Sequence, residues 1–229
     1  MATIKNLSLT LFLVFFLITC NHLEGHIYAS LIDKKEEWEF PALALIISGG
    51  HTQIYQLNSY LEFTLLGETL DDAIGECLDK SAILLGYNYP GGPIIEKLAL
   101  SGQNTYKLPL PKNDESLDFS FSGLKSEISR IVSKESKDMN VNNLACSLQS
   151  ILAEILVKKL KKAWLISKAK TIIIGGGVIA NKFLRNRLTE EIKKWDSKMK
   201  IFFPTIEYST DNAAMIGILA YYKLKNKIN

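Results

Sequence analysis

Two of the three histidines in this chain fall in one short run, Asn21-His22-Leu23-Glu24-Gly25-His26. Spaced at i and i+4, they share one face of a helix, where two imidazoles can grip one metal ion. Glu24 falls on another face. The run is therefore not the HExxH pattern, in which a glutamate directly follows the first histidine and acts as base. On residue types alone, two ordinary surface histidines fit the run equally well. A carboxylate candidate lies near the other end, in Ser209-Thr210-Asp211-Asn212-Ala213-Ala214-Met215, a polar turn opening an apolar helix. Ser, Thr or Asp there would cap the helix by accepting its free N–H groups. Alternatively, Asp211 would join His22 and His26 as a set of two imidazoles and one carboxylate. Such a set has open positions and suits Fe(II) or another divalent ion that holds a substrate oxygen.

Two glycine junctions carry a second kind of chemistry. Ile46-Ile47-Ser48-Gly49-Gly50-His51-Thr52 and Ile172-Ile173-Ile174-Gly175-Gly176-Gly177 each end an apolar run in a turn with little side chain. Bare backbone amides there can approach phosphate oxygens, and the helix after the second junction favours anions at its N-terminus. Neither is a Walker loop, because no GK[ST] follows, and neither is GxGxxG. Each alone is equally a tight turn. Two in one chain point to a nucleotide held as in actin-like ATPases and sugar kinases. Ser48 lacks the GxSxG elbow of a hydrolase nucleophile. Asp79 lies on a helical face with Gly75 and Ala82, where a carboxylate could bond ribose hydroxyls; a solvated surface aspartate is the plainer reading. Glu76 and Lys80 read as a surface i,i+4 pair. Lys158, Lys159, Lys161 and Lys162 with Trp164 could contact nucleic acid but read more simply as a solvated helix face.

These residues need elements to position them. Pro41–Ile47 and Thr52–Leu57 read as strands of a hairpin, and Glu62–Leu66 as a third strand. A helix is expected from Thr69, capped with Asp72, to about Leu85. Tyr89–Pro93 reads as a tight loop and residues 94–100 as a short helix. Further helices are expected from Ser122 and over 141–168, where Leu144, Leu148, Ile151, Leu152 and Ile155 recur at helical spacing. Lys170–Ile174 is a buried strand, followed by a helix to about Lys194, a strand at 200–203 and a helix at 211–223. Strands and helices interleave, so the class is α/β.

The chain has 229 residues, 47% apolar and 22% charged, with net charge +3. That composition excludes a disordered chain and leaves room for a sizeable core. Three cysteines, Cys20, Cys77 and Cys146, are too few and too scattered for a disulfide framework or a CxxC zinc site, and they suit a reducing compartment. Residues 11–18, LFLVFFLI, are too short to span a membrane as a helix. They match the core of a signal peptide, or of a lipoprotein anchor ending at Cys20. We read them instead as a buried strand, since Phe, Val and Ile favour sheet and polar, chemically loaded residues follow at once.

The strings NHLEGH, ISGGHT, LGETLDDAIGECLDK, YPGGP, DFSFSGLK, IIGGGVIAN and STDNAAM occur in that order between residues 21 and 215. Together they resemble the TsaD family, the tRNA N6-threonylcarbamoyladenosine synthases formerly called O-sialoglycoprotein endopeptidases. The resemblance covers nearly the whole chain beyond residue 20. It implies an actin-like (ASKHA, RNase H-like) α/β fold of two lobes around a nucleotide cleft. It also implies an acyltransferase that moves threonylcarbamoyl from threonylcarbamoyl-AMP to N6 of adenine 37, beside the anticodon of tRNAs reading ANN codons. By that resemblance the metal ligands are His22, His26 and Asp211, and the metal is one divalent ion, Fe(2+) first, with Zn(2+) or Mg(2+) as alternatives. The substrate-binding residues are Ile46, Ile47, Ser48, Gly49, Gly50, Asp79, Gly92 and Asn181. The implied partners are tRNA, TsaB and TsaE, in the cytoplasm and away from membranes.

Relatives carry a further segment ahead of NHLEGH that makes up most of the N-terminal lobe, the surface on which TsaB docks. The expected division is a remnant of that lobe with the metal helix at 1–40, a nucleotide- and substrate-binding lobe at 41–210, and a helix at 211–229 that would pack on the first lobe. The competing expectation is a truncated chain that binds metal and nucleotide without catalysing.

Overall fold

The computed structural model describes residues 17–135 and 138–226. The elements in chain order are α1 (His22–Tyr28), β1 (Ala42–Ile47), β2 (Thr52–Ser59), β3 (Glu62–Glu68), α2 (Ile74–Leu84) and α3 (Gly91–Ala99). There follow α4 (Ser122–Glu135), α5 (Val141–Ser167), β4 (Thr171–Gly175), α6 (Lys182–Trp195), β5 (Lys200–Phe202) and α7 (Ala213–Lys225). One five-stranded sheet runs in the order β3-β2-β1-β4-β5. β1, β2 and β3 form an antiparallel meander, while β4 and β5 run parallel to β1.

β1 is buried at every position, and the reason is that both faces of the sheet are covered. Side chains alternate between faces along a strand. Leu43, Leu45 and Ile47 join Ile172 and Ile174 in the larger core, with residues of α2 to α6. Ala42, Ala44 and Ile46 join Ile173 and Phe202 in a second core with Ile27, Tyr28, Leu219 and Tyr222 of α1 and α7. A strand buried on both faces reads as a continuous apolar run rather than an alternating one. α1 and α7 meet at Gly25, where an added Cβ would lie 3.1 Å from Ile216 and 3.3 Å from Met215.

Because β1 and β4 are parallel neighbours, with Ile46 opposite Gly175, the two glycine junctions emerge at the same end of the sheet. They touch there. Gly176 has φ +93°, and an added Cβ would sit 2.4 Å from the Ile47 carbonyl oxygen. Only glycine takes that backbone and that approach without strain.

Three boundaries differ from the sequence expectation. α2 begins at Ile74 rather than Thr69, because the Thr69 hydroxyl donates to the Asp72 carbonyl (2.7 Å) in a turn, and the first helical amide, Ile74 N–H, is taken by Thr52 Oγ1 (3.0 Å). The Asp72 carboxylate is drawn instead to Lys80, at 2.7 Å. α3 begins at Gly91, so most of the expected Tyr89–Pro93 loop is helix, with Pro90 just outside it and Pro93 in the first turn, where proline costs nothing. The cap of α7 is Asn212, whose Oδ1 accepts from Met215 N–H (2.9 Å), not Ser209, Thr210 or Asp211.

Residues 11–16 of the apolar N-terminal run lie outside the described residues, and with them the strand, signal-peptide and lipoprotein readings. Of the remainder, Leu17 is exposed and Cys20 sits half-buried with Sγ 3.9 Å from the Ile216 carbonyl. Among the described residues, no helix is long and apolar enough to cross a membrane.

Candidate metal and nucleotide cleft

α1 is a short helix held at its start by Asn21, whose Oδ1 accepts from Leu23 N–H (2.8 Å) and Glu24 N–H (3.2 Å). One turn of helix sets the His22 and His26 rings edge to face with centroids 4.8 Å apart. Since Asn212 caps α7, the Asp211 carboxylate is spared that task and faces the imidazoles. Its Oδ1 lies 3.3 Å from His22 Nε2 and 3.1 Å from His26 Nε2. One donor atom from each of the three residues falls within 4.8 Å of the others. Glu24 points away and pairs with Lys223 of α7 at 3.0 Å.

His26 is 1% exposed, yet neither ring nitrogen has a hydrogen-bond partner; the approach of Asp211 lacks hydrogen-bond geometry. An unsatisfied buried imidazole costs free energy unless a further group completes it. Burial and then the charge of His22 push the His26 pKa below its usual value, and Asp211 offsets this only in part. A neutral imidazole is the form that ligates metal. Two imidazoles and a carboxylate, one of them buried and unsatisfied, could hold a divalent first-row ion.

The glycine turn after β1 lies against this cluster. Ser48, Gly49 and Gly50 line a cavity of about 530 Å³ together with His22, His26 and Asp211. The turn is closed twice: Ser48 N–H donates to the His51 carbonyl (2.8 Å), and His51 N–H donates to Ser48 Oγ (3.1 Å). The Ser48 hydroxyl thus works as an acceptor that holds the turn. Among the described residues, the Gly49 and Gly50 amides have no hydrogen-bond partner. An added Cβ on either would meet nothing within 4 Å, so the space above the turn is open.

A second cavity of about 350 Å³ shares Gly49, Tyr89, Gly177 and Thr210 with the first and continues away from the histidines. Asp79, Gly92 and Asn181 all line it. Asp79 is not merely solvated: its Oδ1 accepts from Gly91 N–H (2.7 Å) and so fixes the start of α3. Asn181 caps α6 through Oδ1, which accepts from Leu184 N–H (2.9 Å), and its Nδ2 donates to Gln149 (2.8 Å). α2 ties the two cavities together, because Gly75 N–H donates to the Ser48 carbonyl (3.2 Å) one turn before Asp79.

Ile46 and Ile47 do not join the cleft. Both are fully buried, with side chains in the two cores, and neither lines either cavity. Residue patterns missed Tyr89 and Thr210, which line both cavities together with Gly177 of the second glycine junction. Thr210 was legible only as a cap candidate, and Tyr89 only as the residue before a Pro-Gly-Gly turn. The lysine cluster on α5 is not a free basic face. Lys158 pairs with Glu154 (2.9 Å), Lys162 with Glu115 (2.6 Å), and the buried Lys159 with Asp114 (3.3 Å) and the Ser116 carbonyl (2.7 Å).

Comparison with known proteins identifies the fold and the family. Solved structures of the same fold include HypF from T. kodakarensis, with TM-score 0.64 at 16% identity over 95% of this chain and 38% of that one. The activator of 2-hydroxyisocaproyl-CoA dehydratase from Clostridium difficile, solved with bound ADPNP, aligns with TM-score 0.56 at 16% identity over 91% of this chain and 68% of that one. These are actin-like ATPase folds, and this chain shares that α/β architecture. Among curated sequences, the tRNA N6-adenosine threonylcarbamoyltransferase of Mesoplasma florum is 46% identical over 92% of this chain and 67% of its own length. That of Mycoplasma capricolum is 44% identical over 93% and 67%, and that of the aster yellows witches'-broom phytoplasma 45% identical over 90% and 74%. The chain thus spans about two thirds of the length of these relatives. The profile of the family described as TsaD, tRNA N6-adenosine threonylcarbamoyltransferase, matches residues 1–218. The chain belongs to the TsaD family.

Proposed function

We propose that this chain serves tRNA threonylcarbamoyladenosine biosynthesis, transferring threonylcarbamoyl from threonylcarbamoyl-AMP to the N6 amine of the adenine beside the anticodon. One observation carries the reading: the His22, His26 and Asp211 cluster opens directly onto the Ser48-Gly49-Gly50 turn, and the cavity lined by Asp79, Gly92 and Asn181 continues from it. A metal-holding corner, an amide-lined floor and an elongated pocket suit an adenylate that carries an acyl group.

His22, His26 and Asp211 would hold the divalent ion, with Fe(2+) favoured by the donor set and Zn(2+) or Mg(2+) as alternatives. Such an ion supplies Lewis-acid polarisation of a bound oxygen. The free Gly49 and Gly50 amides donate to oxygen that gains negative charge as the carbamoyl carbon is attacked. Asp79 offers its second carboxylate oxygen to a ribose hydroxyl while the first stays on Gly91. Ser48 is committed to closing its turn and takes no covalent part. The adenine amine attacks the carbamoyl carbon directly, and AMP leaves. Positioning supplies much of the acceleration. The same reading carries tRNA as substrate, TsaB and TsaE as protein partners, and the cytoplasm as the place of action.

The test is complementation. The chain is expressed in cells depleted of their own synthase, and threonylcarbamoyladenosine is quantified in digested tRNA by mass spectrometry. Restoration by the parent, lost in a His22→Ala, His26→Ala variant, supports the reading. Soluble protein that binds metal and AMP but restores nothing makes the chain a binding fragment instead.

A further inference from the structure

We propose that Tyr89 is the platform on which the acceptor base of the RNA stacks as it enters the cleft. The inference rests on the tRNA reading above. Tyr89 is 75% exposed at the mouth of the cleft. It lines both cavities, so its ring stands where the metal-side space meets the pocket of Asp79 and Asn181. An acyl group passing from a nucleotide in one space to a base must cross that junction. A flat aromatic there can meet a base face to face, because every base presents a π-face.

The backbone that presents Tyr89 is fixed. Gly91, two residues on, donates to Asp79 at 2.7 Å and packs so close to α2 that an added Cβ would lie 2.6 Å from Asp79 Cα. Pro90 between them removes a further torsion. The ring is thus held out from a rigid support, which limits the ordering cost of stacking. The Gly49-Gly50 turn lines the same metal-side cavity, and the space above it is open. An enzyme acting on one base of a loop must take it out of its stack, and an exposed aromatic at the cleft mouth offers a replacement stack.

The experiment uses the full chain and an anticodon stem-loop RNA carrying 2-aminopurine in place of the target adenine. That base lacks the reacting amine, so its fluorescence reports stacking without turnover. AMP affinity is measured in parallel. The parent is expected to bind the RNA and quench the probe. Tyr89→Leu should abolish the quench and weaken the RNA about 5- to 100-fold, a larger loss than any in AMP affinity, while Tyr89→Phe and Tyr89→Trp keep both signals. RNA binding and quench that survive Tyr89→Leu overturn the inference and leave the tRNA reading standing. A loss confined to AMP affinity also overturns it, since Tyr89 would then face the adenylate. No RNA binding by the parent overturns the tRNA reading and this inference together.

Discussion

His26 Nε2 and Asp211 Oδ1 stand 3.1 Å apart, brought together from opposite ends of the chain by the packing of α1 on α7, and yet they do not form a hydrogen bond. Atoms that converge on a common point rather than on each other are arranged as ligands are. Asp211 is 77% exposed and could turn to water at little cost, whereas His26 is buried and cannot. The imidazole therefore depends on whatever fills that point.

Metal addition should raise the melting temperature of the parent chain. A ligand at about 100 times its Kd stabilises by about 2.7 kcal/mol, which is several degrees for a chain of this size. His22→Ala or Asp211→Ala should lower affinity for Fe(II), or Co(II) as a stable stand-in, by more than about 100-fold, because losing even an outer partner costs 10- to 100-fold. Calorimetric titration under reducing, anaerobic conditions measures it. Equal affinity in parent and variants would sink the metal assignment.

The glycines at the end of the sheet separate fold from ligand. Gly176→Ala meets the Ile47 carbonyl oxygen at 2.4 Å in a left-handed backbone, so it should cost several kcal/mol, about 3 or more, in denaturant unfolding. Gly49→Ala meets nothing within 4 Å and should leave unfolding within about 0.5 kcal/mol of the parent. It places a methyl group in the open space above the turn and should weaken AMP. Stability loss in Gly49→Ala equal to that in Gly176→Ala would show that the open turn is structural.

Much of this cleft could be read from residue types, and the limits are instructive. β1 was legible because a strand buried on both faces leaves an unbroken apolar run. The i,i+4 histidines were legible because helix geometry alone puts them on one face. The start of α2 was not, because the cap of Ile74 comes from Thr52 on a strand, a tertiary contact that no local pattern encodes. In sequence Asp211 reads as a cap or a ligand alike; the cap belongs to Asn212, a choice between neighbours that residue types do not make. Ile46 and Ile47 were drawn into the site by their place in a motif, although what reaches the cleft is the turn they deliver. Tyr89 carries no chemical signal in sequence, since its position follows from the tight packing of Gly91 on α2.

Acid should loosen the tie between the turn before α2 and the start of α4. Burial pushes the Asp71 carboxyl up, but hydrogen bonds from Ser120, Phe121 and Ser122 outweigh it and hold the pKa below the ordinary carboxylate value. A depressed carboxylate stabilises above its unfolded pKa of about 3.9 and loses that contribution as pH falls through its folded value. Asp71→Asn keeps the shape but cannot accept all four bonds. It should cost about 1–3 kcal/mol at pH 7 and less at pH 3, where the contribution of the carboxylate is already falling. Urea unfolding of parent and variant at the two pH values gives the difference, and an equal cost at both would rule out the carboxylate as its source.

The lysines of α5 test where RNA does not bind. Three of them are already matched by Glu154, Asp114 and Glu115, and Lys159 is buried against the 114–116 loop. A lysine contacting phosphate contributes about one unit to the slope of log affinity against log salt. If Lys158 and Lys162 contacted tRNA, the double variant Lys158→Ala, Lys162→Ala would lower that slope by about two. We expect no change in slope and no more than a small change in affinity, read by filter binding across a salt series. Lys159→Met should act differently, through stability, because it leaves the Ser116 carbonyl without its 2.7 Å donor. Removing one partner of a buried hydrogen bond costs about 1–3 kcal/mol, so unfolding should shift while the salt slope holds. A slope that falls by two in the double variant would instead place tRNA along α5, and the ion pairs would then be contacts that RNA displaces.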